Sequence, residues 1–211
     1  MESLVSFIFI LLFSVIFHEV AHGLMAYRLG DPTAKFAGRL TLNPIPHIDL
    51  FGSILLPALL YLAHLPVFGA AKPVPVNYNN LSNIRRDMFL VSIVGPLTNL
   101  LLAAIAAAVY RLAPDLSALG ERLVLETVYL NVVLAVFNML PIPPLDGSKV
   151  LASILGYVDH NLMYRLLDFE RFGFILLFVF IMIPQLLQTV LLPPVIAIMQ
   201  FFVGDPFPLV L

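Results

Sequence analysis

The chain has 211 residues, 61% of them hydrophobic and only 11% charged, with a mean hydropathy of +1.00. A soluble domain is roughly 45–50% apolar and about 25% charged, so this composition excludes an ordinary soluble fold and points to a lipid bilayer. The net charge of -2 argues against nucleic acid as a partner, since phosphate binding needs clustered Lys and Arg, while the absence of cysteine excludes disulfides, thiolate ligands and a cysteine nucleophile.

A membrane helix needs about 20 mostly apolar residues. Residues 3–29 meet that requirement and predict the first one. Its opening run, Leu4 to Phe17, has no basic residue before it and no small-residue cleavage site after it. It therefore reads as a retained helix and not as a cleaved signal. Ala34 to Asn43 ends in alternating residues before Pro44 and reads as a strand. Residues 50–66 are apolar but short and broken by Pro57 and Pro66, as suits a segment that dips into the bilayer and returns. Lys72 to Asn77 is strand-like, although Pro73 and Pro75 bar it from a sheet centre. Residues 87–112 and 123–140 predict two further spans. Residues 172–203, interrupted by Pro184, Pro193 and Pro194, predict one kinked span plus a short one, or two short ones. The expected fold is an all-α polytopic membrane protein of about four to six membrane segments. A small strand element and a re-entrant segment near the active site complete it. No repeat or appended soluble domain is visible, so 1–211 reads as one membrane domain.

Charge sets the orientation. Arg28, Lys35 and Arg39 follow the first helix, and Arg85 and Arg86 precede 87–112. Cytoplasmic loops favour Lys and Arg, so the first helix runs inward and 87–112 runs back out. Arg111 and Arg122 lie on the opposite side, and the bias is imperfect.

HEVAH at 18–22 is an HExxH pattern. Two histidines four residues apart share one helical face, so both rings reach one zinc ion. Glu19 sits beside the first ligand, positioned to take a proton from a zinc-bound water. The competing reading is a solvated His–Glu pair on a helix surface. It is disfavoured here because ionisable groups deep in an apolar membrane helix are costly and mark function.

A catalytic zinc takes three protein ligands and keeps one open position. Asp146 is a candidate third ligand. It follows NMLPIPP, where Pro141, Pro143 and Pro144 force the helix open. It is equally suited to N-cap the residues after it. Depth separates the two roles. His18 lies about 21 Å along the first helix at 1.5 Å per residue. Asn138 lies about 22 Å along 123–140, which runs the same way, and Asp146 is somewhat deeper. Both motifs thus reach similar depth on the cytoplasmic side, favouring Asp146 as ligand. His47, His64 and His160 have no ligand-spaced partner and read as surface or interfacial. Gly95 and Asn99 in GPLTN read as close helix packing with a hydrogen bond across helices.

With FHEVAHG at 17–23, GPLTN at 95–99 and NMLPIPPLDG at 138–147, the chain resembles the site-2 protease family of intramembrane metalloproteases. The likeness covers residues 1 to about 155, leaving about 156–211 as accessory C-terminal membrane segments. GRLTLNPIPHIDLFGSILLP (38–57) and AKPVPVN (71–77) resemble its compact branch, without PDZ or CBS domain. The resemblance implies one zinc per chain at His18, His22 and Asp146, Glu19 as catalytic base, and Asn138 in contact with substrate or oxyanion. It implies regulated intramembrane proteolysis of membrane-spanning proteins in the cell membrane, with the active site toward the cytoplasm. The substrate helix has its carbonyls tied up internally and must unwind. Pairing with the edge of the 34–43 strand is the expected device.

Two other readings compete. One is a membrane-bound HExxH protease whose third ligand is Glu121, Glu126 or Glu170. The other is a non-catalytic membrane scaffold or transport component that keeps the fold. It predicts loss of Glu19 or a ligand, and all are present. Substrate identity and oligomeric state are not encoded in any motif.

Overall fold

The computed structural model describes residues 2–55, 59–60, 62, 71–113 and 115–204. In order come α1 (Glu2–Arg28), the short α2 (Thr33–Phe36), α3 (Ile84–Leu112), α4 (Ala118–Asn138), α5 (Asp146–Val158), α6 (His160–Asp168), α7 (Gly173–Met182), α8 (Pro184–Leu186) and α9 (Leu192–Val203). A π-helical turn at Leu187–Leu191 joins α8 to α9. Among the described residues, three stretches are long and apolar enough to cross a membrane: Val5–Arg28, Ile84–Leu112 and Pro184–Val203. The expected 172–203 region divides at Ile183, which is extended before Pro184, as a residue preceding proline tends to be. The expected 123–140 span is α4, which starts earlier and carries Glu121, Arg122 and Glu126. Glu126 is buried and accepts a hydrogen bond from Ser6 Oγ at 3.1 Å.

α3 is the central helix, packed on α1, α4 and α5. Small residues allow the approach. Ala103, Ala106 and Ala107 of α3 meet Val128 and Val132 of α4 and Val195 and Met199 of α9. At the other end of α3, Met88 packs with Ala152 of α5 and Met163 of α6.

The strand expectations are corrected: no strand occurs among the described residues. Residues 33–36 form α2 instead, because the Asp31 carboxylate accepts from both the amide and the hydroxyl of Thr33 and starts a helical turn. Bends and the 3-10 turn Ile45–His47 follow. Residues 72–77 form neither helix nor strand, with Asn77 extended at their end. Pro73 and Pro75 lack amide hydrogens, and the amide of Val74 is spent on a side chain of α1, Glu19. Of the expected re-entrant segment, Leu50–Leu55 forms a π-helical turn. Most of the remainder, including His64, lies outside the described residues. His47 is buried and not superficial, with Nε2 donating to the Thr41 carbonyl at 2.9 Å. His160 is exposed and stacks on Tyr164.

Asp31 ties the loop after α1 to the segment leading into α3. It is fully buried and accepts from Thr33, from the Asn77 amide at 2.7 Å and from Asn80 Nδ2 at 2.7 Å. Burial alone would raise its pKa, but the hydrogen bonds from Thr33, Asn80 and Asn77 outweigh it and hold the carboxyl below its ordinary value. A depressed folded pKa means that the stabilisation is present above the unfolded value of about 3.9 and is lost as pH falls through the folded value. Asp31→Ala should therefore destabilise the protein by about 1–3 kcal/mol at neutral pH. In thermal unfolding of the purified protein, the gap between variant and parent should shrink below about pH 4.

Candidate metal centre

α1 carries His18 and His22 on one face, and both are buried. The rings meet edge to face with centroids 4.6 Å apart. Asp146 is the first residue of α5, preceded by Leu145 as cap. Its carboxylate caps no helix. Oδ2 lies 3.1 Å from His18 Nε2 and 3.2 Å from His22 Nε2, and the two Nε2 atoms are 2.9 Å apart.

The protonation of these nitrogens follows from their far sides. His22 Nδ1 is 2.6 Å from the Val91 carbonyl, which can only accept, so Nδ1 carries the hydrogen. His18 Nδ1 is 2.6 Å from Asn99 Oδ1. The orientation of that amide is fixed by backbone further along. Asn131 Nδ2 donates to the Thr127 carbonyl and to Ser14 Oγ, both at 2.9 Å, so Asn131 Oδ1 accepts from Asn99 Nδ2 at 2.9 Å. Asn99 Nδ2 also donates to the Ser14 carbonyl at 3.3 Å. Asn99 Oδ1 is left to accept from His18. In the neutral imidazoles both Nε2 atoms are then lone pairs, and they face a carboxylate oxygen.

Three acceptors this close, with no hydrogen between them, repel one another. A cation at their centre turns the repulsion into coordination. With zinc–nitrogen bonds of about 2.0–2.1 Å, tetrahedral ligand atoms sit about 3.3 Å apart. The observed 2.9–3.2 Å edges are close to that spacing. The donor set fits zinc, and His18, His22 and Asp146 are the group of possible metal ligands among the described residues.

The centre opens on a cavity of about 350 Å³ lined by Glu19, Asn138, Lys149 and Glu170, among others. Glu19 Oε2 accepts from the Val74 amide at 2.7 Å, which fixes the carboxylate and leaves Oε1 for other work. Asn138 donates one amide hydrogen to the Leu134 carbonyl of its own helix at 3.0 Å and has a second to offer. Of the alternative glutamates, Glu126 is bonded to Ser6, and Glu170 reaches the cavity without joining the metal-binding group.

Two glycines mark backbone approaches that no side chain would permit. A Cβ at Gly95 would lie 2.3 Å from His22 Nε2 and 2.7 Å from His18 Cε1, so α3 presses directly on the ligand rings. A Cβ at Gly147 would lie 2.2 Å from the Met139 carbonyl oxygen, where α5 folds back on the end of α4. Sequence reasoning assigned Gly95 and Asn99 to packing across helices. The structure makes the rings of His18 and His22 the surface against which Gly95 packs, and His18 a hydrogen-bond partner of Asn99. Asn131 and Lys149 carry no motif in the sequence, and Glu170, a candidate ligand by residue type alone, lines the cavity instead. The one available signal was for Asn131, an amide in the middle of an apolar helix.

Two outcomes follow for zinc binding, read by competition with a chromophoric chelator. Gly95→Ala should abolish stoichiometric zinc, since the methyl group occupies ring positions. Asn99→Ala should weaken affinity by about 10–100-fold, the usual cost of losing an outer partner of a metal-bound imidazole.

A model of peptidase family M50 matches residues 113–183. A protein of Bacillus subtilis (strain 168) named "Putative zinc metalloprotease YwhC" is 38% identical over 183 residues, covering 82% of this chain and 78% of that one. The proteins named Rip2, under the same description, are 33% identical in Mycobacterium tuberculosis (strain H37Rv) and 29% in Mycolicibacterium smegmatis. Each match spans 177 residues, 83% of this chain and 66% of the relative. No solved structure matches. A near-full-length match at this identity, with the HEVAH and LDG segments brought to one point in space, means that the chain belongs to peptidase family M50, the site-2 protease family.

Proposed function

We propose that this zinc metalloprotease hydrolyses peptide bonds of membrane-spanning proteins inside the bilayer, with His18, His22 and Asp146 as zinc ligands and Glu19 as general base. The observation that carries the reading is the convergence of two imidazole lone pairs and one carboxylate oxygen on a helix long and apolar enough to span a membrane. Zinc held there supplies a Lewis acid that brings water toward a pKa of about 7 and polarises a carbonyl. The protein does the rest. Glu19, anchored through Oε2 by the Val74 amide, keeps Oε1 free to take the proton of the attacking water and return it to the leaving amine. Asn138 offers its second amide hydrogen to the substrate carbonyl.

Substrate pairs with residues 72–77, not with 34–43. That segment is in neither helix nor strand, and its Pro73, Val74 and Val76 line the cavity beside Glu19. Its backbone carbonyls are the acceptors that an unwound substrate strand needs. α4 adds a fourth span to the three described stretches that are long and apolar enough to cross a membrane, and residues 1–211 act as one membrane domain. The excess of basic residues after α1 and before α3 sets the active site toward the cytoplasmic side of the cell membrane.

Glu19→Gln should retain stoichiometric zinc and lose about 10²–10⁴-fold in the rate of cleaving a single-span test substrate. Asp146→Asn should lose zinc affinity, read by metal analysis after dialysis against chelator. Unchanged cleavage in the first or unchanged affinity in the second removes the corresponding role. A tag inserted in the 28–49 loop should stay unlabelled by an impermeant reagent in intact cells.

A further inference from the structure

We propose that Lys149 is a catalytic residue of this site, the cation that meets the scissile carbonyl oxygen as it gains negative charge and then the carboxylate of the product. The proposal rests on the reading of the site as a peptide hydrolase. Lys149 follows Asp146 by three residues on α5, so the two side chains share one face of that helix. Both line the cavity, together with Glu19 and Asn138. Among the described residues lining it, Lys149 is the sole lysine or arginine, against the carboxylates Glu19, Asp146 and Glu170.

Its other charged neighbour does not occupy it. Glu170 Oε1 is 3.9 Å from Lys149 Nζ, within ion-pair range but too long for a hydrogen bond. Glu170 Oε1 is itself buried without a hydrogen-bond partner. The ammonium is thus held in the cavity by charge while its three hydrogens stay available. Asn138, by contrast, has already committed one amide hydrogen to Leu134.

The reaction moves charge toward Lys149. Water oxygen bonds to the carbonyl carbon, the water proton goes to Glu19, and the π pair of the carbonyl moves onto its oxygen. Negative charge leaves Glu19 and appears on the substrate. The C–N bond then breaks, nitrogen takes the proton, and the acid proton follows it, leaving a carboxylate and an ammonium. A fixed cation beside the oxygen favours the transition state over the bound substrate, which is neutral there.

The test uses the full-length protein in detergent. The chain has no tryptophan, so an apolar peptide carrying one reports its own binding by fluorescence. Two such peptides, ending in a free carboxylate or in a carboxamide, are titrated into zinc-loaded Glu19→Gln with and without Lys149→Met. The preference for carboxylate should fall about tenfold when Lys149 is replaced. In turnover, Lys149→Met should lose about 100-fold in kcat with KM nearly unchanged and zinc retained, and Lys149→Arg should recover part of the loss. A carboxylate preference unchanged within twofold, or a kcat unchanged within twofold, overturns the assignment. Lys149→Gln replaces Lys149→Met in the same comparison if the latter does not fold. Failure of the underlying reading has a different signature: Glu19→Gln would still cut, or the parent would bind no zinc.

Discussion

A metal-binding imidazole surrounded by apolar helices has no water behind it to choose its tautomer, so the protein must hold its remaining hydrogen. Here that hydrogen is held on both rings. Val91 takes it from His22 directly. For His18 the decision is made three side chains away, where the carbonyl of Thr127 and the hydroxyl of Ser14 orient Asn131, which orients Asn99. This buried chain runs from α4 through α3 to α1, and its members are fully or almost fully excluded from solvent. An unpartnered amide at any point would be costly in such surroundings. The hydrogen-bond network that stitches the three helices together is therefore the same one that aims the lone pair of His18.

The other half of the site depends on a helix that stops. Pro141, Pro143 and Pro144 end the regular run of α4, and the chain re-enters a helix at Asp146. Gly147 lets the new helix start against the Met139 carbonyl, which sets the Asp146 carboxylate opposite the histidines. Glu19 is fixed from a third direction by the Val74 amide of the 72–77 segment. Asp146 and Glu19 thus have different anchors, and the separate roles proposed for them follow from those anchors.

What was legible in the sequence is what helical period and proline determine locally. The period places His18 and His22 on one face. The prolines open the chain before Asp146, and the similar depth of the two motifs identifies Asp146 against a capping role. The strands were misjudged because alternation in 34–43 was weighed without Asp31, whose carboxylate starts a helical turn instead. His47 reads as superficial, yet it is buried among contacts of residues 39–47 and 72 that only the fold brings together. Lys149 and Glu170 meet across the cavity because α5, α6 and the 3-10 turn at Phe169–Phe172 double back, a juxtaposition with no periodic trace.

α4 carries the burden of this arrangement during synthesis. Glu121, Arg122, Glu126 and Asn131 lie along it, and charged groups oppose entry of an isolated helix into lipid. In the finished fold Glu126 is satisfied by Ser6 of α1, and Asn131 by Ser14 and Asn99. Those partners belong to α1 and α3, which leave the ribosome first and are long and apolar enough to cross a membrane. Under the proposed topology α4 is a late passenger, stable in the bilayer only once it has docked against its predecessors. Asp146 is synthesised after it and reaches the histidines through it. Completion of the proposed metal centre is thereby deferred until the helix bundle has assembled, and a nascent chain halted before that point carries His18 and His22 without Asp146.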